Sequence, residues 1–355
     1  MSRFLNPAHA SLVAYVPGEQ PQNREYVKLN TNESPYPPAP EVIRTIEAGQ
    51  AARLNLYPDP EAKQLLEKLA AFYGLAPENV MPGNGSDEIL SILFMAFADR
   101  ARGVAFPAIS YGFYEVYADL FGVPAKKIPV RPDFTVDPAD YLGLNRTIVI
   151  ANPNAPTGIA LPRDGIEEIL RANPDSVVAV DEAYVDFGGE SCVPLIPKYE
   201  NLAVIHTYSK SRSLAGARLG YLMANAALVE DMNRIRYSLN PYNINRLTLA
   251  AGAAAIDADA YYAARRAEIQ KTRAWTKAAL EARGFSVTDS RANFIFAKSD
   301  RVPGGDYYEK LKGMGILIRH FSKPEIADWN RITIGAPEEM EQLVRATDEI
   351  LGGMI

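Results

Sequence analysis

The amino-acid order predicts an α/β fold, with a mostly parallel central sheet flanked by helices and a smaller α+β domain behind it. Two observations carry this. Between residues 103 and 224 short apolar runs alternate with amphipathic helical stretches, the pattern of a parallel sheet. Beyond residue 245 the pattern changes to two long helices and then to short strands around one helix. Taken in order, residues 1 to about 35 are rich in Pro, Asn and Tyr without periodicity and read as an arm laid across a surface. After Pro60, Ala62, Leu65, Leu66, Leu69 and Phe72 recur at three- and four-residue intervals and predict a helix that stops at Gly74. GNG at 83–85 supplies a turn before a second helix that begins at Ser86 and buries Ile89, Ile92, Leu93, Ala96 and Phe97. Strands are expected at 103–106, 147–150, 177–180, 202–208 and 218–224, with helices at about 111–121 and 163–172. Residues 245 to about 283 read as two helices broken near 257–259. FSVTD, NFIFA, ILIRH and RITIG then read as strands around the helical YYEKLKGMG. The expected organisation is an arm at 1–35, a large domain at 36–245 and a small one at 246–355.

With 355 residues and 48% hydrophobic content, the chain has material for two packed domains. Its formal charge of −6 comes from 43 acids and 37 bases that are interspersed, so no basic stripe is available to a nucleic-acid backbone. Cys192 is the single cysteine, which excludes an intrachain disulfide and suits a reducing compartment. The opening MSRFLNPAHASLVAYVPGEQ lacks the apolar core of a signal peptide, and no run nears the roughly 18 apolar residues of a membrane span. A cytoplasmic protein with no membrane partner is the expectation. His9, His206 and His320 show no metal-ligand spacing and no G-x-S-x-G elbow is present, so neither a metal site nor serine hydrolysis is expected.

The chemistry-bearing segments are YSKSRSLAGARLG at 208–220 and VVAVDEAY at 177–184. A lysine amine such as that of Lys210 forms a Schiff base with pyridoxal phosphate, and Arg218 is suited to a phosphate. A carboxylate such as Asp181, at the carboxyl end of a central strand, can keep a pyridine nitrogen protonated. Alone, Asp181 reads equally as an ordinary acidic residue at a strand exit, and Tyr184 as a packing tyrosine that could instead bond a phenolic oxygen. NPNAPTG at 152–158 is a rigid loop in which Asn154 can present its amide, although such loops also serve as plain turns. Gly85, Ser86 and Asp87 open an amphipathic helix whose first-turn N–H groups favour a phosphate; the same residues also read as N-capping by Ser86. Tyr111 suits stacking on a flat ring or plain core packing. Arg319 and Arg331 adjoin apolar alternating runs and suit bidentate capture of an anion, or stand as solvated strand arginines. NPNAPTG, VDEAY and the lysine segment follow in that order, each at an expected strand exit, which favours one site over three separate accidents.

Together with LNTNESPYPP, YPDP, GNGSDE and PYNINRLT, these motifs resemble the fold-type I pyridoxal-phosphate-dependent aminotransferases over nearly the whole length. Within them, LNTNESPYPP and YPDP are most similar to the histidinol-phosphate aminotransferases. The resemblance implies pyridoxal 5'-phosphate on Lys210, the catalytic residue, with Asp181 at the pyridinium, Tyr184 and Asn154 at the phenolic oxygen and Tyr111 on the ring. It implies Gly85, Ser86, Asp87, Thr207, Ser209 and Arg218 around the phosphate, joined by Tyr57 from a neighbouring subunit, hence a homodimer with shared sites. Tyr15, Asn154, Arg319 and Arg331 are the implied substrate residues. The implied reaction exchanges an amino group between L-glutamate and imidazole acetol phosphate, giving 2-oxoglutarate and L-histidinol phosphate, a step of histidine biosynthesis. One departure is Arg212, where an apolar or aromatic residue often follows the lysine by two.

Three other readings share the cofactor segments. An aromatic amino-acid aminotransferase differs only in the substrate pocket, and threonine-phosphate decarboxylase shares the scaffold with different chemistry. A ligand-sensing domain of a transcription regulator is the non-enzyme alternative, disfavoured by the retained Lys210.

Overall fold

The computed structural model describes residue 5, residues 7–47 and residues 51–353; the remaining positions of the expected arm, 1–4 and 6, lie outside the described residues, as do 354 and 355 at the far end. The N-terminal segment ends in a short strand, β1 (Val27–Lys28), followed by helices α1 (Pro40–Glu47) and α2 (Lys63–Tyr73). Next come β2 (Val80–Gly83), α3 (Gly85–Phe97), β3 (Val104–Pro107), α4 (Phe113–Phe121), β4 (Ala125–Ile128), β5 (Thr147–Ala151) and α5 (Arg163–Ala172). Strands β6 (Val178–Asp181), β7 (Leu202–Thr207) and β8 (Gly220–Ala224) complete the large sheet before α6 (Ala226–Leu239). Then follow α7 (Arg246–Asp257), α8 (Asp259–Glu281), β9 (Phe285–Val287), β10 (Phe294–Ser299), α9 (Gly304–Gly313), β11 (Ile316–Leu317), β12 (Arg319–His320), β13 (Asn330–Thr333) and α10 (Pro337–Gly352).

The seven-stranded sheet has the order β2-β8-β7-β6-β5-β3-β4. Strand β8 alone runs against its neighbours β2 and β7. The expected mostly parallel sheet is present. Strands β5, β6 and β7 are buried on both faces, which is why they read as unbroken apolar runs. Alternation along each strand feeds two cores: Ile148, Ile150, Val178 and Val180 pack on one face, and Val149, Ala151, Ala179 and Ile205 on the other. Helix α7 adds Ala251, Ala255 and Ile256 to the first of these cores. Asp181 is in register with Ala151 and Ile205, so the loops after β5, β6 and β7 leave the sheet side by side. Thr207 and Gly83 both pair with Gly220, bringing the start of α3 to that same end.

A third core, including Ile295, Ile332, Leu311, Met340 and Leu343, lies under the sheet β12-β13-β10-β9. Two expectations are corrected here. The arm is a surface feature only in its earlier part: from β1 it pairs with β11, Leu29 is fully buried in this third core, and the Thr333 N–H donates to the Leu29 carbonyl at 2.9 Å. ILIRH is two strands, because β11 pairs with β1 while β12 pairs with β13 in another sheet. The chain changes partners at Ile318.

Candidate active site

The helix-capping reading of Ser86 does not hold, because the cap of α3 is Asn84, whose side chain makes no bond to the first turn. Asn84 is turned away instead, its amide donating to the Asn243 carbonyl at 3.0 Å. The first turn therefore faces the sheet end. There the Arg218 guanidinium lies 3.1 Å from Asp87 Oδ2 and 3.5 Å from Ser209 Oγ, and Thr207 Oγ1 donates to Ser209 Oγ at 3.0 Å. Tyr111 donates its hydroxyl to Asp87 Oδ1 at 2.9 Å, and Tyr117 donates to the Asp87 carbonyl at 2.8 Å.

Asp181 ends β6 and is 5% exposed. The Tyr114 hydroxyl donates to its Oδ2 at 2.7 Å and the Ala183 N–H donates to Oδ1 at 3.2 Å. Burial raises its carboxyl to about 6, with those two donors pulling the other way. Lys210 follows β7 in the turn at 208–214. Its Nζ donates to the Thr31 carbonyl at 3.3 Å and lies 5.8 Å from the centre of the Tyr184 ring. Burial, seconded by Arg331, lowers this amine to about 8, against the pull of Glu33 and Asp87. Tyr184 Oη accepts from the Asn32 amide at 3.0 Å. Asn154 uses its amide within the fold, donating to the Ile109 carbonyl at 2.8 Å and to Thr157 Oγ1 at 3.3 Å, while its oxygen accepts from Ser110.

On the open side Arg331 donates to the Asn30 carbonyl at 3.0 Å, and its buried Nε has no partner. Arg319 donates to the carbonyls of Val16 and Pro17, at 3.2 and 3.3 Å, and so holds the arm. That hold brings Tyr15 against Phe113, with ring centres 4.1 Å apart, and into the field of both arginines. Tyr57 lies apart from this group: it is 77% exposed and stacks on Tyr242 at 4.4 Å.

A model of the family described as aminotransferase class I and II matches residues 24–346. The histidinol-phosphate aminotransferase of a Marinomonas species is 48% identical over 349 residues, covering 98% of this chain and 99% of that protein. That of Brachyspira hyodysenteriae is 46% identical over 352 residues, covering 99% of both. The chain belongs to the class I and II aminotransferases. In fold, this aminotransferase superposes with TM-score 0.90 on the histidinol-phosphate aminotransferase of Sinorhizobium meliloti solved in complex with pyridoxal 5'-phosphate; identity there is 23%, with 100% of this chain and 99% of that one covered.

The residues present fit such a cofactor. A Cβ on Gly85, whose φ is +80°, would lie 2.6 Å from an Arg218 guanidinium nitrogen, and one on Gly220 would lie 2.6 Å from the Ser86 nitrogen. Both glycines leave that end of the candidate site free of side-chain atoms. Gly85→Ala is expected to weaken pyridoxal phosphate binding about tenfold or more, through strain and a displaced Arg218; unchanged affinity in an absorbance titration would count against this cradle. Sequence reasoning missed Tyr114, Thr31 and Asn32. Tyr114 reads as one more apolar position of α4, and the other two come from a segment far away in the chain, which no local pattern connects to the lysine.

Proposed function

We propose that this aminotransferase exchanges an amino group between L-histidinol phosphate and 2-oxoglutarate, with pyridoxal phosphate held at Lys210, in L-histidine biosynthesis. The observation that carries the reading is a lysine whose amine burial and Arg331 lower to about 8, in the turn that leaves β7 beside the buried Asp181 at the end of β6. When bound, the cofactor supplies an aldehyde that condenses with amines and a ring that withdraws electron density from the substrate carbon. Gly85, Ser86 and Asp87 backbone groups, the Thr207 and Ser209 hydroxyls and Arg218 would hold its phosphate, with Asp87 yielding the guanidinium to the stronger anion. Asp181, oriented by Tyr114, would face the pyridine nitrogen. Tyr111 would cover the ring, and Tyr184, with Asn154 nearby in the same loop cluster, would bond the phenolic oxygen.

Lys210 Nζ, in the neutral form that its lowered pKa makes accessible, takes the proton from the substrate carbon that bears the amine and returns it on the other side of the exchange. Arg331 offers its unpartnered Nε to the substrate's anionic end, beside Tyr15. Arg319 contributes by anchoring the arm as well as by its charge. The same pair of guanidinium groups suits the phosphate of histidinol phosphate and the distal carboxylate of glutamate.

An aromatic amino-acid substrate is the second reading, favoured by the wall of Tyr15, Tyr111 and Phe113, whose rings lie within 6.2 Å of one another. A single-turnover absorbance measurement with the cofactor-loaded protein separates the two. L-histidinol phosphate and L-glutamate are expected to convert the cofactor to its amine form rapidly, and L-phenylalanine roughly tenfold slower or worse. Preference for phenylalanine would move the assignment to the aromatic class.

A homodimer completes the proposal. Leu54, Leu56, Tyr57, Tyr237, Leu239 and Tyr242 are exposed large side chains, and the Tyr57 segment is fastened by the Arg246 guanidinium, which donates to the Tyr57 carbonyl at 2.7 Å. An exposed group of this kind is an interface in waiting, and Tyr57 on it would reach a neighbour's phosphate. Sedimentation is expected to give twice the 39.0 kDa chain mass; a monomer would remove Tyr57 from the site. Its single cysteine is buried and free, which suits a reducing cytoplasm. Among the described residues no helix is long and apolar enough to cross a membrane.

A further inference from the structure

Arg212, two residues after Lys210, has no part in the chemistry above, yet it is 3% exposed. Its guanidinium lies 5.3, 5.8 and 5.7 Å from the ring centres of Phe72, Tyr208 and Tyr262. A guanidinium in such a place is costly unless its donors are matched. One nitrogen donates to the Ala255 carbonyl at 2.9 Å, near the end of α7, and another lies 3.1 Å from Asp259 Oδ1 in the first turn of α8. Both ends of the α7–α8 junction are therefore tied to the turn that carries the lysine.

The neighbours of Arg212 are anchored elsewhere. Ser211 donates its hydroxyl to Asp186, in the loop after β6, and Ser213 donates to Ser34 Oγ at 2.8 Å, in the N-terminal segment. Ser213 has φ of +53°, a left-handed conformation that the turn must hold against its preference. A lysine side chain is long and flexible, so the placement of its amine is only as exact as the backbone beneath it. Of the three anchors, the two serine bonds each join one pair of hydroxyl or carboxylate groups. The Arg212 anchor is charged, buried and double.

We infer that Arg212 is a positioning residue, which fixes the turn presenting Lys210 by clamping it to the α7–α8 junction. It acts through the lysine and takes no part in proton transfer itself. This rests on the reading of Lys210 as the cofactor-binding lysine.

Pyridoxal phosphate affinity, followed by absorbance, tests this in the wild type, Arg212→Met, Lys210→Ala and the double variant. Where Lys210 is present to bond the aldehyde, Arg212→Met is expected to weaken binding about tenfold; where Lys210 is absent, the same change should cost about twofold or less. Arg212→Lys, which keeps the charge without spanning both acceptors, should show a smaller loss with the same dependence on Lys210, and it decides the matter alone should the Met variant not fold. Equal losses with and without Lys210 would make Arg212 a plain part of the scaffold and overturn the inference, as would no loss in either. Failure of the wild type to bind pyridoxal phosphate covalently would be a different result: it would remove the cofactor reading first, and this inference with it.

Discussion

Lys210→Ala is expected to abolish steady-state transamination, a fall of roughly 10⁴-fold or more, since one amine serves both as the covalent anchor and as the proton carrier. The proposed phosphate cradle at α3, the end of β7 and Arg218 is untouched by the change, so the variant should still hold pyridoxal phosphate without a covalent bond. Appreciable turnover by that variant would end the assignment. In the unaltered protein, burial brings the amine from an ordinary 10.5 down to about 8. Only the neutral amine attacks an aldehyde, so covalent capture of pyridoxal phosphate by the cofactor-free chain should accelerate as pH rises towards 8 and level off above it. A rate still climbing towards the range of a free lysine would mean that the amine is solvated and the site more open than its contacts with Thr31 and Tyr184 indicate.

The fold was most legible where burial is symmetrical. Strands β5, β6 and β7 have both faces covered and stand out as uninterrupted apolar runs, whereas β4, AKKI, is an edge strand with three exposed residues and carries no such run. Helix α10 escaped although Met340, Leu343, Val344, Thr347 and Ile350 are buried at helical spacing; the acidic residues between them interrupt a run but leave the period intact. Helix α6 buries only Val229, Met232 and Arg236, a face too narrow to announce itself. ILIRH misled because apolar alternation reports that a segment is a strand and says nothing of which sheet it joins.

The candidate site divides in the same way. Lys210 and Asp181 sit where β7 and β6 end, and Arg218 just before β8, positions that can be read along the chain. The groups that hold them cannot, because each comes from another element: Tyr114 from α4 for Asp181, Thr31 from the N-terminal segment for Lys210, and the α7–α8 junction for the lysine turn. Tyr57 and Asn154 illustrate the opposite limit. Their types were conspicuous in the sequence, yet within one chain Tyr57 faces outward and Asn154 has its amide bonded to the Ile109 carbonyl and Thr157.

Asp181→Asn should separate stability from function. Burial moves this carboxyl from an aspartate's ordinary 3.8 to about 6, so the folded chain binds a proton more readily than the unfolded one. The consequence has a definite sign: well below an aspartate's ordinary 3.8 the residue is protonated in both states and costs nothing, the cost grows through about pH 4 to about pH 6, and above that it is complete at about 3 kcal/mol. An amide of the same shape can still accept from the Ala183 N–H through its oxygen and donate from its NH2 to a Tyr114 hydroxyl that turns round, while carrying no charge. The cofactor-free Asn variant is therefore expected to resist denaturant better than the wild type at pH 7 to 8, by about 1–3 kcal/mol, and to lose that advantage as the pH falls towards 4. Turnover should move the other way, by roughly 10²- to 10³-fold, because a neutral amide cannot hold a proton on the pyridine nitrogen. On the proposed reading, the cost of an ionised carboxylate in an apolar sheet is offset by the pyridinium that would lie against it. A variant that gained no stability, or one that kept its activity, would show that the charge at Asp181 has no such partner.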